Sequence, residues 1–188
     1  MQLNRFFKTW GLPAILALTG MTALAQVPYS PAGTIITDGQ NLYATGGDVQ
    51  VKFLGKGPAT DTDLLYYGST LLFDNQTSLS NSIVDLGTIP AGTLMTFKMQ
   101  NFTQGYTFYS GAGSLNPDSD VHAYIVTNYP TLGSTYVGFE DRIAPGADFN
   151  YSDVQFSYTG VATVAPEPST LALAGTAAAG FIGWRRRK

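Results

Sequence analysis

Between residues 48 and 158 the chain repeats one pattern. Short runs place an apolar, β-branched or aromatic side chain at every second position, and each run is closed by Gly, Pro, Asn or Asp. Val49, Val51 and Phe53 alternate with Gln50 and Lys52, and Met95, Phe97 and Met99 fall on one side of their run. Tyr106 with Phe108, Val121 with Ala123 and Ile125, Val137 with Phe139, and Val154 with Phe156 and Tyr158 do the same. A period of two is that of a half-buried strand, because successive side chains of a strand point to opposite faces. Asp63–Tyr67 and Thr70–Phe73, joined by Gly68-Ser69, read as a hairpin, and Ile83–Leu86 as a further strand. No helical stripe of useful length precedes residue 170. The pattern predicts an all-β fold, an antiparallel β-sandwich of jelly-roll-like form, over residues 48–165. Residues 26–47, rich in Gly, Thr, Ala and Pro, read as a lead-in.

The two ends have a different character. Residues 1–25 carry Arg5 and Lys8, then the short apolar run Trp10–Leu18, then Ala23-Leu24-Ala25. This is the charge, apolar core and small-x-small site of a signal peptide, with Ala23 and Ala25 the small residues that signal peptidase reads and Gln26 the expected mature start. At the other end Pro166-Glu167-Pro168 opens residues 166–188, Leu171–Trp184 follows without a charge, and Arg185, Arg186, Arg187 and Lys188 close the chain. A helix over 171–184 would be about 21 Å long, short of a hydrocarbon core of roughly 30 Å. Local thinning and snorkelling of the basic cluster 185–188 would let it sit in a membrane, with the cations on the cytoplasmic side. The two prolines hold the peptide at the membrane edge extended and unable to join that helix.

Pro-Glu-Pro, a short Gly/Ala/Leu-rich apolar segment and a terminal arginine cluster together resemble the PEP-CTERM sorting signal. The resemblance covers the last 23 residues and implies recognition by an exosortase, a membrane transpeptidase-like enzyme. It also implies a route: export across the inner membrane, transient anchoring by the C-terminal helix, then the cell envelope or the extracellular space. A second resemblance lies between the ends. Gly138-Phe139-Glu140-Asp141 followed by Gly146-Ala147-Asp148-Phe149-Asn150-Tyr151-Ser152-Asp153-Val154 is similar to the closing motif of domain-of-unknown-function family 4114. Asn150 and Ser152 stand where that family commonly has Asp and Asn. This resemblance, over about residues 47–160, implies a β-sandwich in an extracellular setting and no established activity.

Charge excludes one class of partner. Residues 26–165 hold eleven Asp and Glu140 against Lys52, Lys56, Lys98 and Arg142, a net −8, which repels nucleic acid. Cations, neutral glycans, exopolysaccharide or other envelope proteins remain as partners. There is no cysteine, so disulfides and thiolate chemistry are absent, and a domain of this size folds without such staples.

The acidic motif is the place for chemistry. If the strands on either side of it pair, Glu140, Asp141, Asp148, Asn150 and Asp153 converge at the hairpin tip. Two readings are open. One is a Ca²⁺ site, which asks for six to eight oxygens at about 2.3–2.6 Å. The other is a turn whose Asp and Asn side chains cap backbone N–H groups, with Arg142 offsetting charge. Asn116, Asp118, Asp120 and His122 form a second polar loop. Ser119, Asp120 and His122 lie too close along one extended segment for a catalytic triad, and nothing marks the paired carboxylates of a glycosidase. Tyr66, Tyr67 and Tyr109 are candidates to stack on sugars. Asn75-Gln76-Thr77 and Asn101-Phe102-Thr103 match glycosylation sequons, a pattern short enough to arise by chance. The resulting expectation is an exported structural or adhesive surface protein without enzymatic activity, with Ca²⁺ as its candidate cofactor, a carbohydrate-binding module being the first alternative and a glycan hydrolase the second.

Overall fold

The computed structural model describes residues 32–163; the expected signal segment, the sorting tail and its hydrophobic helix lie outside them. The strands are β1 (Tyr43–Ala44), β2 (Gly47–Gly55), β3 (Asp63–Tyr67), β4 (Thr70–Asp74), β5 (Ile83–Ile89) and β6 (Phe97–Asn101). They continue with β7 (Tyr106–Tyr109), β8 (Ala123–Thr127), β9 (Ser134–Phe139), β10 (Val154–Thr159) and β11 (Val161–Ala162). One turn of 3-10 helix, Gly113–Leu115, is the only helix among the described residues, and none there is long and apolar enough to cross a membrane.

The strands form a five-stranded sheet in the order β5-β2-β10-β9-β8, a four-stranded sheet in the order β4-β3-β6-β7, and a small β1-β11 pair, every neighbour antiparallel. The alternating residues meet between the two large sheets. Phe97 of β6 stacks on Tyr158 and Phe156 of β10 with ring centroids 4.4 and 5.9 Å apart, and Phe53 of β2 meets Phe73 of β4 at 5.4 Å. Val49, Val51, Leu65, Met99 and Phe108 complete the dry layer. Burying each large apolar side chain contributes roughly 1.5–3 kcal/mol, so this layer dominates the fold's stability.

Two expectations change. The connectivity is not that of a jelly roll, in which successive strands mostly alternate between sheets. Here β3–β4, β6–β7 and the meander β8–β9–β10 each stay within one sheet. The links are short: Gly68-Ser69 alone joins β3 to β4, and two residues cannot cross the roughly 10 Å between facing sheets. Nor is β9 buried on one face only, since all six of its residues are buried. The loop that follows β9 folds back over its outer face. A Cβ on Gly138 would lie 2.1 Å from the carbonyl oxygen of Tyr151, so only glycine allows the loop to cross there. Tyr124, Tyr129 and Tyr136 pack edge to face on that same side.

This topology gives the sandwich two distinct ends. Phe139 is paired with Val154, and Asp63 with Asn101, at one of them. Ser134 is paired with Thr159 at the other, where β11 pairs with β1. The acidic residues gather at the first end. The chain leaves the described domain, towards residue 164, at the second.

Candidate metal centre at the end of the sandwich

β9 and β10 do pair as neighbours, and residues 140–153 form the connection between them. Its path is set by backbone contacts. Gly57 N–H donates to the Ser152 carbonyl at 2.6 Å, and a Cβ on Gly57 would meet Ser152 Oγ at 2.3 Å, so the Pro58–Thr60 segment lies close against the loop. Phe149 and Tyr151 adopt left-handed φ values of 47° and 52°, uncommon for bulky residues and held by their burial. Between them, Asn150 Oδ1 accepts from the Ser152 N–H at 2.9 Å and from its hydroxyl at 2.6 Å.

The loop and the Pro58–Thr60 segment enclose an open pocket of about 200 Å³. All five residues that the sequence singles out line it: Glu140, Asp141, Asp148, Asn150 and Asp153. One carboxylate oxygen each from Glu140, Asp141 and Asp153 lies within 4.8 Å of the other two. Oxygens bound to one Ca²⁺ at about 2.3–2.6 Å are at most roughly 5 Å apart, so these three can reach a single ion. Asp148 and Asn150 are not part of this group of three and are bonded to each other: Asn150 N–H donates to Asp148 Oδ1 at 3.1 Å and its amide to Oδ2 at 2.7 Å, while Asp148 also lies beside the Glu140 carboxyl. The capping arrangement is thus present as well, and includes Asp153 Oδ2, which accepts the Asp141 N–H at 3.1 Å.

Four residues that motif reading missed complete the site. Asp61 Oδ2 receives Arg142 Nη2 at 2.9 Å and Nε at 3.0 Å. Asn101 donates to Asp61 Oδ2, to the Asp141 carbonyl and to Asp141 Oδ2 at 3.0–3.2 Å. Asn75 donates to Asp63 Oδ2 at 2.6 Å and accepts the Asp63 N–H at 2.9 Å. The two sequon asparagines are therefore buried brackets of the acidic network, at 4% and 0% exposure, and not glycan acceptors.

The network holds more negative charge than its partners offset. Burial, reinforced by Asp153, Asp148 and Asp141, pushes Glu140 up to about 9. Burial, with Asp141, Asp153 and Asp61 nearby, pushes Asp63 up, and burial with Asp141 raises Asp153. Asp141 is raised by burial and by Asp61. For Asp61, hydrogen bonds from Asn101 and Arg142 and the Arg142 charge outweigh burial and hold it low. Two buried oxygens of this network, Asp63 Oδ1 and Glu140 Oε2, receive no hydrogen bond from a donor and face the neighbouring carboxylates Asp141 and Asp148. Leaving such an atom unpaired costs about 1–3 kcal/mol, more when charged. The donors are all oxygens, the set that suits Ca²⁺, Mg²⁺ or Mn²⁺ and not zinc.

His122 supports the site from behind. Its ring is fully buried and stacks on Phe108 with centroids 3.8 Å apart. Nδ1 donates to the Glu140 carbonyl at 3.0 Å, Nε2 lies 3.0 Å from Asp118 Oδ2, and the His122 carbonyl accepts the Glu140 N–H at 3.0 Å. It therefore fixes the backbone of Glu140 without facing the pocket. Replacing His122 with Phe keeps the stack but leaves the Asp118 carboxylate and the Glu140 carbonyl without it. A loss of about 2 kcal/mol is expected, a fall of several degrees in melting temperature for a domain this size. An unchanged melting temperature would mean that neither hydrogen bond stabilises the fold.

The candidate sugar-stacking residues lie elsewhere. Tyr66 sits under Lys98, whose Nζ is 4.1 Å from the ring centroid, Tyr67 packs on Phe97 at 5.3 Å, and Tyr109 pairs with Lys98. None of them lines the acidic pocket.

Comparison with known proteins bears on the tail. Residues 164–188 match the family model described as the PEP-CTERM protein-sorting motif. Neither the curated proteins nor the solved structures give a match to the chain. The motif includes Pro166, Glu167 and Pro168 and the cluster Arg185, Arg186, Arg187 and Lys188. Proteins that carry this motif are exported and processed by an exosortase at a C-terminal membrane anchor, and the match is consistent with an envelope or extracellular location.

Proposed function

We propose that the sandwich is a Ca²⁺-stabilised surface module with a structural or adhesive role in the cell envelope or exopolysaccharide matrix, and not an enzyme. One observation carries the reading. Glu140 Oε2 is buried and receives no hydrogen bond from a donor, in a carboxylate set that reaches into an open pocket with the spacing one ion needs. A hard divalent cation relieves both the unpaired oxygen and the repulsion among Glu140, Asp141 and Asp153. The fold's polarity supports the surface role. β10 runs from the acidic end to the end where the chain continues towards the sorting motif, a distance of about 17 Å. A domain tethered through that motif thus presents its acidic pocket away from the tether.

The test is a calorimetric titration of the metal-depleted protein with CaCl₂. One ion per chain is expected, with a dissociation constant of about 10⁻⁴–10⁻³ M, the range of extracellular modules. Absence of binding up to about 10 mM would remove the cation from the reading and leave the loop as a capped turn.

A further inference from the structure

Two cavities meet at the acidic end. Next to the carboxylate pocket, across the turn Arg142–Gly146, lies a second open cavity of about 240 Å³. It is lined by Gln104, Tyr106, Ile143 and Pro145 among others, and it shares Arg142 and Gly146 with the first. Each is smaller than the roughly 300–1,000 Å³ that encloses a drug-sized molecule, so what they take is small or is the end of a longer chain.

Their chemistry is complementary. The first cavity offers carboxylates and, on the reading above, a cation. Ca²⁺ takes six to eight oxygens, more than Glu140, Asp141 and Asp153 supply with one oxygen each, and the pocket is open, so coordination positions remain for a ligand. The second cavity offers the ring of Tyr106, steadied by Phe108 with centroids 6.0 Å apart, beside the aliphatic Ile143 and Pro145. Arg142 sits between them, but its Nε and Nη2 are spent on Asp61, so no free guanidinium fork awaits an anionic ligand. A neutral ligand with paired oxygens on one edge and a C–H face beside them fits both halves.

We infer that the two cavities together bind the terminal neutral pyranose of a glycan, with two vicinal hydroxyls completing the shell of the cation held by Glu140, Asp141 and Asp153 and the ring's C–H face lying on Tyr106. This rests on the cation site proposed above and adds its ligand. It differs from an aromatic row on a sheet face, because recognition is placed at the end of the sandwich and depends on the ion.

The experiment passes the protein over agarose-bound mannose, galactose and N-acetylglucosamine in about 10 mM CaCl₂, elutes with EDTA, and records melting temperature in the same buffers. Retention on at least one sugar and release by EDTA are expected. Tyr106→Leu, which keeps an apolar side chain against Phe108, should weaken retention about tenfold, and Tyr106→Phe should restore it. If CaCl₂ raises the melting temperature but no column retains the protein, the glycan inference is overturned and the cation site stands. If CaCl₂ does not raise it, both fall. Retention that survives EDTA, or is unchanged in Tyr106→Leu, also overturns the inference.

Discussion

In EDTA at about pH 8, Glu140→Gln is expected to melt a few degrees above the unmodified protein, and to lose the further rise that CaCl₂ gives that protein. The first effect follows from burial. The Glu140 carboxyl is raised from 4.5 to about 9, so at pH 8 it is protonated in the folded chain and ionised in the unfolded one. Folding must then take up a proton, at a cost of about 1.4 kcal/mol for each pH unit above the unfolded value. Glutamine needs no proton. Its buried amide needs a partner, which Asp148 is placed to supply, so the net gain is on the order of 1–3 kcal/mol and not the full penalty. The second effect follows from charge. With the glutamate ionised, CaCl₂ at about a hundred times its dissociation constant stabilises the fold by about 2.7 kcal/mol. Without that carboxylate the ion keeps two buried ligands in place of three, and the gain collapses. Thermal denaturation of both proteins, with EDTA and with CaCl₂, checks both signs at once. An equal shift by CaCl₂ in the two would place the ion elsewhere. A lower melting temperature for Glu140→Gln in EDTA would mean that the carboxyl has a partner that glutamine cannot replace.

The strands were legible because their information is local. The alternation at Val49, Val51 and Phe53, or at Val154, Phe156 and Tyr158, reports the face each side chain occupies, and the core contains all six. The loop residues Glu140, Asp141, Asp148, Asn150 and Asp153 were legible for a similar reason: they lie within one hairpin connection, and pairing of β9 with β10 is enough to bring them to one pocket. Asp61, Asp63, Asn75 and Asn101 were not. They reach the site from the other sheet, 40 to 81 residues away along the chain for the contacts that Asp61 and Asn101 make, and only sheet-on-sheet packing puts them there. Both asparagines also had a competing explanation as sequons, which burial removes. The jelly-roll expectation went wrong at the level of connections: period-two patterns say which residues face a core and nothing about which strand pairs with which. The two-sided burial of β9 was hidden too, since it depends on a loop crossing at Gly138, and a glycine inside a strand pattern signals close approach without naming what approaches.

Stability should fall with rising pH in the absence of the cation and depend much less on pH in its presence. Glu140, Asp63, Asp153 and Asp141 all have folded values above those of an exposed carboxyl, first because of burial and then because of one another. Between the ordinary carboxylate range near pH 4 and the raised values at about 7 to 9, the folded chain holds protons that the unfolded chain has released. Stability therefore falls as pH rises through that window, by about 1.4 kcal/mol per pH unit for each carboxyl still protonated. Asp61 has the opposite sign, since its folded value is lowered; the stability it contributes is lost only below that window. In EDTA the melting temperature should thus be highest near pH 4 and decline steadily to pH 9, contrary to the common pattern of acid destabilisation. With saturating CaCl₂ the ion takes the place of the protons, the ligands stay ionised, and the decline flattens, because metal binding is itself favoured as protons leave. The gap between the two curves should widen by several degrees from pH 5 to pH 9. Parallel curves would show that the ion and the protons do not compete for the same oxygens, which is incompatible with a site at Glu140, Asp141 and Asp153. A rising curve in EDTA would show that these carboxylates are ionised in the fold despite their burial, with the donors around them sufficient to hold the charge.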